Sequence, residues 1–314
     1  MSFSSVAKNE LSRLPINKEC CAIAELSGIL RLSGSIILSN SGFSLKARTS
    51  NAAVARRIFS LLKELFNISP EIEMHEVPIR TGHLYSIVIN SDKARIVAEK
   101  TYLIDNEGAI RNDILSSSII KKRCCKIAFL RGLFLGGGCV TTPEKMYHLE
   151  MVFSSEQLAK DVCKILNNFK FNARITRKKE NFIVYIKEGN KVAEFMSFMG
   201  CHESRLKLEN VRVIKEVKNN VNRAVNCETA NLSKTLDAAF KQINSINYIK
   251  DTIGLEALPP PLLEVAMLRI SSPPDTRLED LGKMLNKQIG KSGVNHRLNK
   301  INEIADNIKS ERKK

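Results

Sequence analysis

The sequence has no long apolar run and no leader of the secretory type. No hydrophobic stretch reaches the roughly 18 residues that a transmembrane helix requires. The first residues, MSFSSVAKNELSRLP, are polar and lead into no apolar segment of the kind found in a signal peptide. These two absences predict a cytoplasmic protein with no membrane partner.

The sequence also has no C-x-x-C pair, although it contains 8 cysteines. Zinc ribbons and zinc fingers draw their ligands from such spaced pairs, so the spacing argues against them. In a reducing compartment, cysteines are most simply small buried hydrophobic residues. The adjacent Cys201 and His202 lack a second pair of ligands nearby. The sequence therefore predicts no metal site and no cofactor.

Positive charge is what the chain has in excess. Its 314 residues carry 49 Lys and Arg against 33 Asp and Glu, which gives a formal net charge of +16. Such an excess suits a polyanionic partner, usually nucleic acid, and the alternative is a basic surface without a partner. Hydrophobic residues make up 43% of the sequence, enough to build cores in a chain long enough for two domains.

An internal repeat is the most informative pattern. Residues 20–36, CCAIAELSGILRLSGSI, match residues 124–140, CCKIAFLRGLFLGGGCV, at an offset of 104 residues. This spacing is that of a duplicated half-domain and is too long for a solenoid unit. Hydrophobic periodicity predicts the order α-β-β-α-β-β-α in each half, with a longer hairpin near Pro78–Gly82 in the first.

The nonapeptides Leu26–Gly34 and Leu130–Gly138 resemble the LAGLIDADG motif of homing endonucleases, and the doubled element order resembles their fold. The resemblance implies an α+β architecture, a duplicated LAGLIDADG homing-endonuclease-like αββαββα domain, with two sheets that form a saddle over DNA. The two motif helices are expected to pack closely through small residues, namely Ala24, Ser27, Gly28, Ala128 and Gly132.

In that family the eighth residue of each motif is an acid that binds a divalent metal ion. The corresponding residues here are Ser33 and Gly137. Metal-assisted phosphodiester cleavage needs anionic oxygen ligands to hold Mg²⁺, and neither residue supplies one. The sequence therefore predicts a catalytically dead scaffold and a protein that is not an enzyme.

Basic residues are concentrated over 170–223. Arg174, Arg177, Lys178 and Lys179 flank a predicted hairpin, which makes them candidates for contacts to phosphates. A solvated face, or a docking surface for another domain, is an equally weighted interpretation.

Residues 262–308 predict three short helices that follow a helix-turn-helix pattern. The first covers about Leu262–Ile270, and the second, about Arg277–Leu285, is expected to start with a capping box of Thr276 and Glu279. The third starts at about Ser292, with a buried stripe formed by Val294, Leu298, Ile301, Ala305 and Ile308. The alternative is an ordinary three-helix bundle with a polar exposed face.

The third helix would enter the major groove of DNA with its N-terminal end toward the bases. Asn and Arg side chains can make bidentate contacts to adenine and guanine, whereas Arg277, Lys291 and Lys300 are better placed to hold phosphates. The complete set of candidate DNA-binding residues is Arg277, Lys291, Ser292, Asn295, His296, Arg297, Asn299 and Lys300.

Two further runs, NRAVNCETAN from Asn222 with Lys234 and Thr235 after it, and KSGVNHRL from Lys291, complete a pattern that resembles the WhiA family over about Glu19 to Ile308. The polar residues of Asn222–Thr235 could cap a helix or contact DNA, and capping is preferred. The resemblance implies a bacterial, sequence-specific DNA-binding protein linked to cell division and chromosome segregation, and in some lineages a transcription regulator of sporulation. Its implied partners are double-stranded DNA and RNA polymerase or another transcription factor, in the nucleoid. A sequence-blind nucleoid-associated or partner-binding protein is the alternative.

The predicted domain boundaries follow from these patterns. The first LAGLIDADG-like half takes 1–104, the second 105–218, a helical linker 219–250 and the all-α helix-turn-helix domain 251–314. Asn219–Asn222 is expected to break a helix, and Asn231 to cap the next one. Arg223 is a further candidate for a phosphate contact.

Overall fold

The computed structural model describes residues 2–39, 42–76, 83–141, 144 and 146–311. The chain divides into two compact units, Met1–Ile214 and Lys215–Lys314. The hairpin expected near Pro78–Gly82 lies outside the described residues. None of the described helices is both long and apolar enough to cross a membrane.

The first unit contains the same order of elements twice, after an N-terminal helix α1 (Phe3–Leu11). The first copy comprises α2 (Glu19–Ser33), β1 (Gly34–Ser39), β2 (Gly42–Thr49), α3 (Ala52–Phe66), β3 (Glu71–Glu76), β4 (His83–Asn90) and α4 (Ser91–Lys100). The second copy comprises α5 (Arg123–Gly137), β5 (Cys139–Val140), β6 (Leu149–Phe153), α6 (Glu156–Asn168), β7 (Arg174–Lys178), β8 (Asn181–Ile186) and α7 (Gly189–Met199). The predicted αββαββα duplication is confirmed.

Each copy forms one antiparallel four-stranded sheet, in the order β1-β2-β4-β3 or β5-β6-β8-β7. The long helix between the hairpins begins at a capping side chain in both copies. The Asn51 side chain accepts hydrogen bonds from the amides of Ala53 and Val54, and the Ser155 hydroxyl accepts one from Leu158. The apolar stripes of α3 and α6 then bury one face of each sheet and leave the other face outward.

Helices α2 and α5 pack against each other so closely that glycine is required at the contact. A Cβ at Gly132 would overlap the carbonyl oxygen of Glu25, and one at Gly28 would overlap the carbonyl oxygen of Phe129. At Gly136 the added atom would lie 2.6 Å from the carbonyl oxygen of Ile29. The predicted close approach through small residues is therefore confirmed.

A buried carboxylate joins three helices beside this contact. Glu25 on α2, 2% exposed, accepts hydrogen bonds from Arg57 Nε on α3 at 2.7 Å and from Arg131 Nη1 on α5 at 3.0 Å. Both arginines also donate to backbone carbonyls, of Leu14 and of Met199. A buried charge is tolerated when it is paired and hydrogen-bonded in this way.

A second buried arginine fixes the segment between the two copies. The Arg31 guanidinium donates to the carbonyl oxygens of Tyr102 at 2.9 Å, Asn112 at 2.7 Å and Arg111 at 3.2 Å. Desolvation lowers the pKa of Arg31 to about 10, with Asp113 acting in the opposite direction. The first motif helix is thus hydrogen-bonded to the linker that leads to the second.

Four helices supply the second unit: the C-terminal part of α8 (His202–Thr252), α9 (Pro260–Ser271), α10 (Leu278–Met284) and α11 (Lys291–Glu311). The helix break expected at Asn219–Asn222 is wrong, because α8 is continuous. Asn231 is not a cap either: it lies inside α8, where its carbonyl accepts the Thr235 hydroxyl at 2.9 Å. Residues 216–235 are exposed, so their polar side chains lose little hydration within the helix.

The expected capping box is also wrong. Helix α10 begins after Arg277 without a side-chain cap, and the carbonyl oxygen of Thr276 instead accepts a hydrogen bond of 3.2 Å from Arg269. The helices themselves are confirmed as predicted, and the stripe from Val294 to Ala305 packs on α9 and α10.

The cysteines depart from their interpretation as buried hydrophobic residues. All eight are free thiols, but only Cys125 and Cys201 are buried, whereas Cys139 and Cys227 are exposed. Desolvation raises the pKa of Cys201, whose sulfur lies 3.5 Å from the carbonyl oxygen of Ala7. This residue belongs to the core.

Candidate nucleic-acid interface

The start of α11 is positioned by a tight turn after α10. The Ile289 amide donates to the carbonyl of Gly282 at 3.2 Å, and a Cβ at Gly282 would overlap the Ile289 carbonyl oxygen. Val294 and Leu298 are fully buried one helical turn apart, which fixes the rotation of α11 about its axis. Most of the remaining positions of its first two turns therefore face outward.

Those outward positions carry most of the residues predicted to read DNA. Lys291, Ser292, Asn295, His296, Asn299 and Lys300 are exposed. Arg297 differs from the prediction because it is half-buried, and its Nη1 donates to the carbonyl oxygen of Pro261 at 3.3 Å. The polar groups of α11 thus form one continuous face, with Arg297 held at its edge against α9.

A cleft of about 480 Å³ lies beside this face. It is lined by Lys234 and Thr235 of α8, by Arg277, and by Lys291 and Asn295 of α11. Five charged residues line the cleft: four are cations, and the fifth, Glu279, is an acid. Sequence reasoning singled out Arg277, Lys291 and Asn295 as DNA-binding residues. It placed Lys234 only in a segment that could cap a helix or contact DNA and preferred capping, because it did not predict the unbroken course of α8.

Arg269 holds the loop that presents Arg277. Its guanidinium is 1% exposed and donates to the carbonyl oxygens of Pro273 at 2.6 Å and Thr276 at 3.2 Å. Desolvation lowers the pKa of Arg269, and Asp275 acts in the opposite direction. The sequence signal for this residue was a lone arginine on the apolar stripe of α9, next to Val265 and Ala266.

The predicted basic hairpin of the first unit is split between two faces. Strand β7 pairs with β8 so that Arg174 lies opposite Tyr185 and Lys178 opposite Asn181, on the face away from the helices. Arg177 alternates to the other face, where its guanidinium lies 5.8 Å from the centre of the Phe182 ring. Lys179 occupies the turn with φ of 58°. Of the four basic residues predicted at this hairpin, Arg174 and Lys178 alone therefore share the outward face of the sheet.

The corresponding edge of the first sheet is acidic. Strand β3 presents Glu71, Glu73 and His75 on its outward face. The carboxylate of Glu73 accepts a hydrogen bond of 2.8 Å from Lys46, and this bond, with a further one from His75, lowers the pKa of Glu73. The outward sides of the two edge strands thus differ in charge.

The C-terminal ends of the two motif helices carry Ser33 and Gly137, neither of which has a carboxylate side chain. The Ser33 hydroxyl donates to the carbonyl oxygen of Ile29 at 2.8 Å, and Gly137 faces the Leu32 side chain. The acid of the two motif helices that lies closest to these ends in sequence, Glu25, is bound to two arginines. Among the described residues, no metal-binding group of three or more His, Cys, Asp or Glu side chains lies at this end.

Arg223 is exposed on α8, and its phosphate contact stays a prediction. The same holds for the base-reading roles assigned to α11. The geometry brings Arg277, Lys291 and Asn295 together at one cleft and keeps Asn299 and Lys300 one turn further along the same helix.

Comparison with known families matches three successive segments of the chain. Residues 19–104 match the WhiA N-terminal LAGLIDADG-like domain, residues 126–218 the WhiA LAGLIDADG-like domain and residues 221–305 the WhiA C-terminal HTH domain. The last match includes most of the residues interpreted from the sequence as a linker.

Similar proteins extend over the same length. The probable cell division protein WhiA of Clostridium botulinum is 44% identical over 98% of this chain and 99% of its own length. The protein of the same name from Thermoanaerobacter pseudethanolicus is 46% identical over 99% of both chains. The crystal structure of full-length WhiA from Thermatoga maritima is 27% identical, with a TM-score of 0.60 over 98% of this chain and 99% of that one.

Proposed function

Because this chain belongs to the WhiA family, we propose that it is a sequence-specific DNA-binding protein that regulates transcription in connection with cell division and chromosome segregation, and with sporulation in lineages that sporulate. The proposal starts from its two LAGLIDADG-like domains and its helix-turn-helix domain. We propose in addition that the chain binds DNA, that it regulates transcription, and that the residues named below make the contacts.

The exposed polar face of α11 is the observation that carries the proposal. Asn295 and Asn299 lie one turn apart on a helix whose rotation is fixed by buried Val294 and Leu298. An asparagine amide can donate from Nδ2 to adenine N7 and accept at Oδ1 from the adenine N6 amino group, a bidentate pair worth about 1–3 kcal/mol of discrimination. A rigid helix is the element that can hold such an amide in one orientation in the major groove.

Cations around this face suit the sugar-phosphate backbone. Lys234, Arg277 and Lys291 line one cleft, and Lys300 lies further along α11. Contacts to phosphates fix the register of a protein on the duplex without reading its sequence. Arg174, Lys178 and Arg223 are proposed as additional phosphate contacts, with Arg177 and Lys179 in supporting positions at the same hairpin.

The cellular role rests on the relatives, which are named probable cell division proteins. We infer action in the cytoplasm at the nucleoid, with double-stranded DNA as the main partner and RNA polymerase or another transcription factor as a second one. The scaffold acts without catalysis in this proposal, because Ser33 and Gly137 offer no anionic ligand for a metal ion.

Selection from a random duplex pool tests the proposal. The full chain is incubated with the pool at two salt concentrations, and the retained DNA is sequenced. An enriched motif that persists at the higher salt supports base readout. Asn295→Ala should weaken binding to the enriched duplex by roughly 10–100-fold, as expected for loss of about 1–3 kcal/mol.

Asn307→Ala is the matched control, since Asn307 is exposed near the other end of α11. It should leave binding unchanged. Retention without a motif, lost steeply as salt increases, would replace the proposal with the sequence-blind alternative, a nucleoid-associated or partner-binding protein.

A further inference from the structure

The duplication places two pairs of adjacent cysteines at equivalent positions in the first turns of α2 and α5. Cys20 and Cys21 follow Glu19 at the start of α2, and Cys124 and Cys125 follow Arg123 at the start of α5. Because the two helices pack together, the four sulfur atoms converge: all lie within 4.8 Å of one another. The pairs are separated by 104 residues in the sequence.

We propose that these four thiols form a tetrathiolate site for a thiophilic divalent metal ion, with zinc as the natural occupant. Four cysteine sulfurs are the ligand set of structural zinc sites. With metal–sulfur bonds of about 2.3 Å, the sulfurs of a tetrahedral site lie roughly 3.8 Å apart. The observed limit of 4.8 Å is therefore within a small side-chain adjustment of that geometry.

The surroundings of the four cysteines favour the negative charge of a metal–thiolate site. Zinc with four thiolates carries a net charge of −2, and binding releases the thiol protons. The site lies where the N-termini of two helices meet, and their caps, Lys18 and Lys122, make no side-chain hydrogen bond to the first turn. The N-terminal end of a helix favours negative charge, and here two such ends meet at the four thiolates.

The burial of the four cysteines and their number both suit a structural metal site. Cys20, Cys21 and Cys124 are half-buried and leave a path for the ion, while Cys125 is buried. Four protein ligands would complete a tetrahedral shell and leave no open position for a substrate or water. Each motif helix has 15 residues and is therefore about 22 Å long, which separates the site from Ser33 and Gly137 at the other end.

The metal would connect the two halves of the duplication at the ends of the helices farthest from the degenerate motif residues. Sequence reasoning predicted no metal site because it searched for ligands close together in the chain. This inference is independent of the proposed base readout, which rests on α11 of the other unit.

Cobalt binding to the full chain tests the site. The purified protein is treated with a chelator and a reductant, which leaves the metal-free reduced form, and is then titrated with Co²⁺. We expect one Co²⁺ per chain, with sulfur-to-cobalt charge-transfer absorption and the visible bands of tetrahedral coordination, and displacement by Zn²⁺. The double variant Cys21→Ser with Cys124→Ser should lose both signals.

The matched control is Cys139→Ser with Cys227→Ser, which removes the two exposed cysteines outside the cluster. It should bind Co²⁺ as the parent does. A second measurement does not require any variant to fold: chelation should lower the thermal unfolding midpoint of the parent by several degrees, and Zn²⁺ should restore it.

Absence of the cobalt bands in the fully reduced parent would overturn the proposal. Unchanged bands in the Cys21/Cys124 double variant would do the same. So would a mass showing that Cys20–Cys125 and Cys21–Cys124 are joined by disulfides in protein purified with reductant, because the cluster would then be a redox pair and not a metal site.

Discussion

Glu25 and Arg131 form an ion pair across the two halves of the duplication, with Oε2 and Nη1 separated by 3.0 Å. The pair is not repeated by symmetry, since Ser27 occupies the position equivalent to Arg131 and Phe129 the position equivalent to Glu25. Arg57 completes the arrangement from α3. One carboxylate therefore pairs with two arginines from different halves.

Removing this carboxylate is expected to destabilise the first unit strongly. Glu25→Ala leaves Arg57, which is 6% exposed, without its counter-ion. Loss of one partner of a buried pair costs about 3–5 kcal/mol. Urea unfolding followed by circular dichroism would measure the change. Glu64→Ala, at an exposed position of α3, should alter the free energy of unfolding by less than about 0.5 kcal/mol; equal effects of both would contradict the assignment.

Gly132→Ala is expected to force α2 and α5 apart. The added methyl group would overlap the Glu25 carbonyl oxygen, and overpacking of this kind costs about 1–3 kcal/mol despite the better helix propensity of alanine. Gly290→Ala is the control, because no atom lies within 4 Å of a Cβ built there. Thermal unfolding of the two variants should separate them, and a Gly132→Ala protein as stable as the parent would refute the close contact.

Lys234→Ala is expected to weaken DNA binding without changing its sequence preference. If Lys234 contacts a phosphate from the cleft, its loss reduces the slope of log K against log salt by about 1. Fluorescence anisotropy with a labelled duplex at several salt concentrations would measure the slope. Lys250→Ala serves as the control, since Lys250 is exposed on α8 and does not line the cleft. Identical slopes for both variants would remove Lys234 from the interface.

The degenerate motif predicts an absence of nuclease activity. Supercoiled plasmid incubated with the purified chain and Mg²⁺ or Mn²⁺ should remain uncut, because neither Ser33 nor Gly137 supplies an anionic ligand for either ion. Cleavage that persists through further purification and is lost in a Glu25→Ala protein shown to be folded would indicate a catalytic centre that this interpretation has missed.

Asp105 is expected to stabilise the linker between the halves in a pH-dependent manner. Its Oδ1 accepts hydrogen bonds from the amides of Ala109 at 2.8 Å and Glu107 at 3.0 Å, and its Oδ2 accepts one from Arg111 at 2.9 Å. The amide of Ala109 is the main cause of the lowered pKa of Asp105, opposed by partial desolvation and supported by Arg111.

Because this pKa is lower in the folded state, the stabilisation is complete above the unfolded value of about 3.9 and is lost as the pH falls through the folded pKa. Asp105→Asn should therefore be less stable than the parent near neutral pH, with a difference that shrinks below about pH 4. Unfolding measured at both pH values would show this, and a difference independent of pH would contradict it.

The sequence predicted much of the fold because the repeat and the apolar stripes are local patterns. The stripe Val294–Ala305 and the matched motif helices both follow from spacing alone. The unbroken course of α8 was missed since asparagines that often end helices are tolerated at exposed positions, at well below 1 kcal/mol each.

Other features arise only when distant segments meet. The four cysteine sulfurs converge through the packing of two helices, and Arg31 and Arg269 find their carbonyl partners in loops that no periodicity describes. Lys234 reaches the cleft only because α8 does not break. Tertiary contacts of this kind leave no signal in the spacing of neighbouring residues.

Joining two half-domains in one chain releases each from the need to be identical to the other. The outward edge of the first sheet carries Glu71 and Glu73, whereas the edge in the same place in the second carries Arg174 and Lys178. A symmetric dimer of one half could not hold this difference. The two edge strands consequently present different charges to an approaching partner.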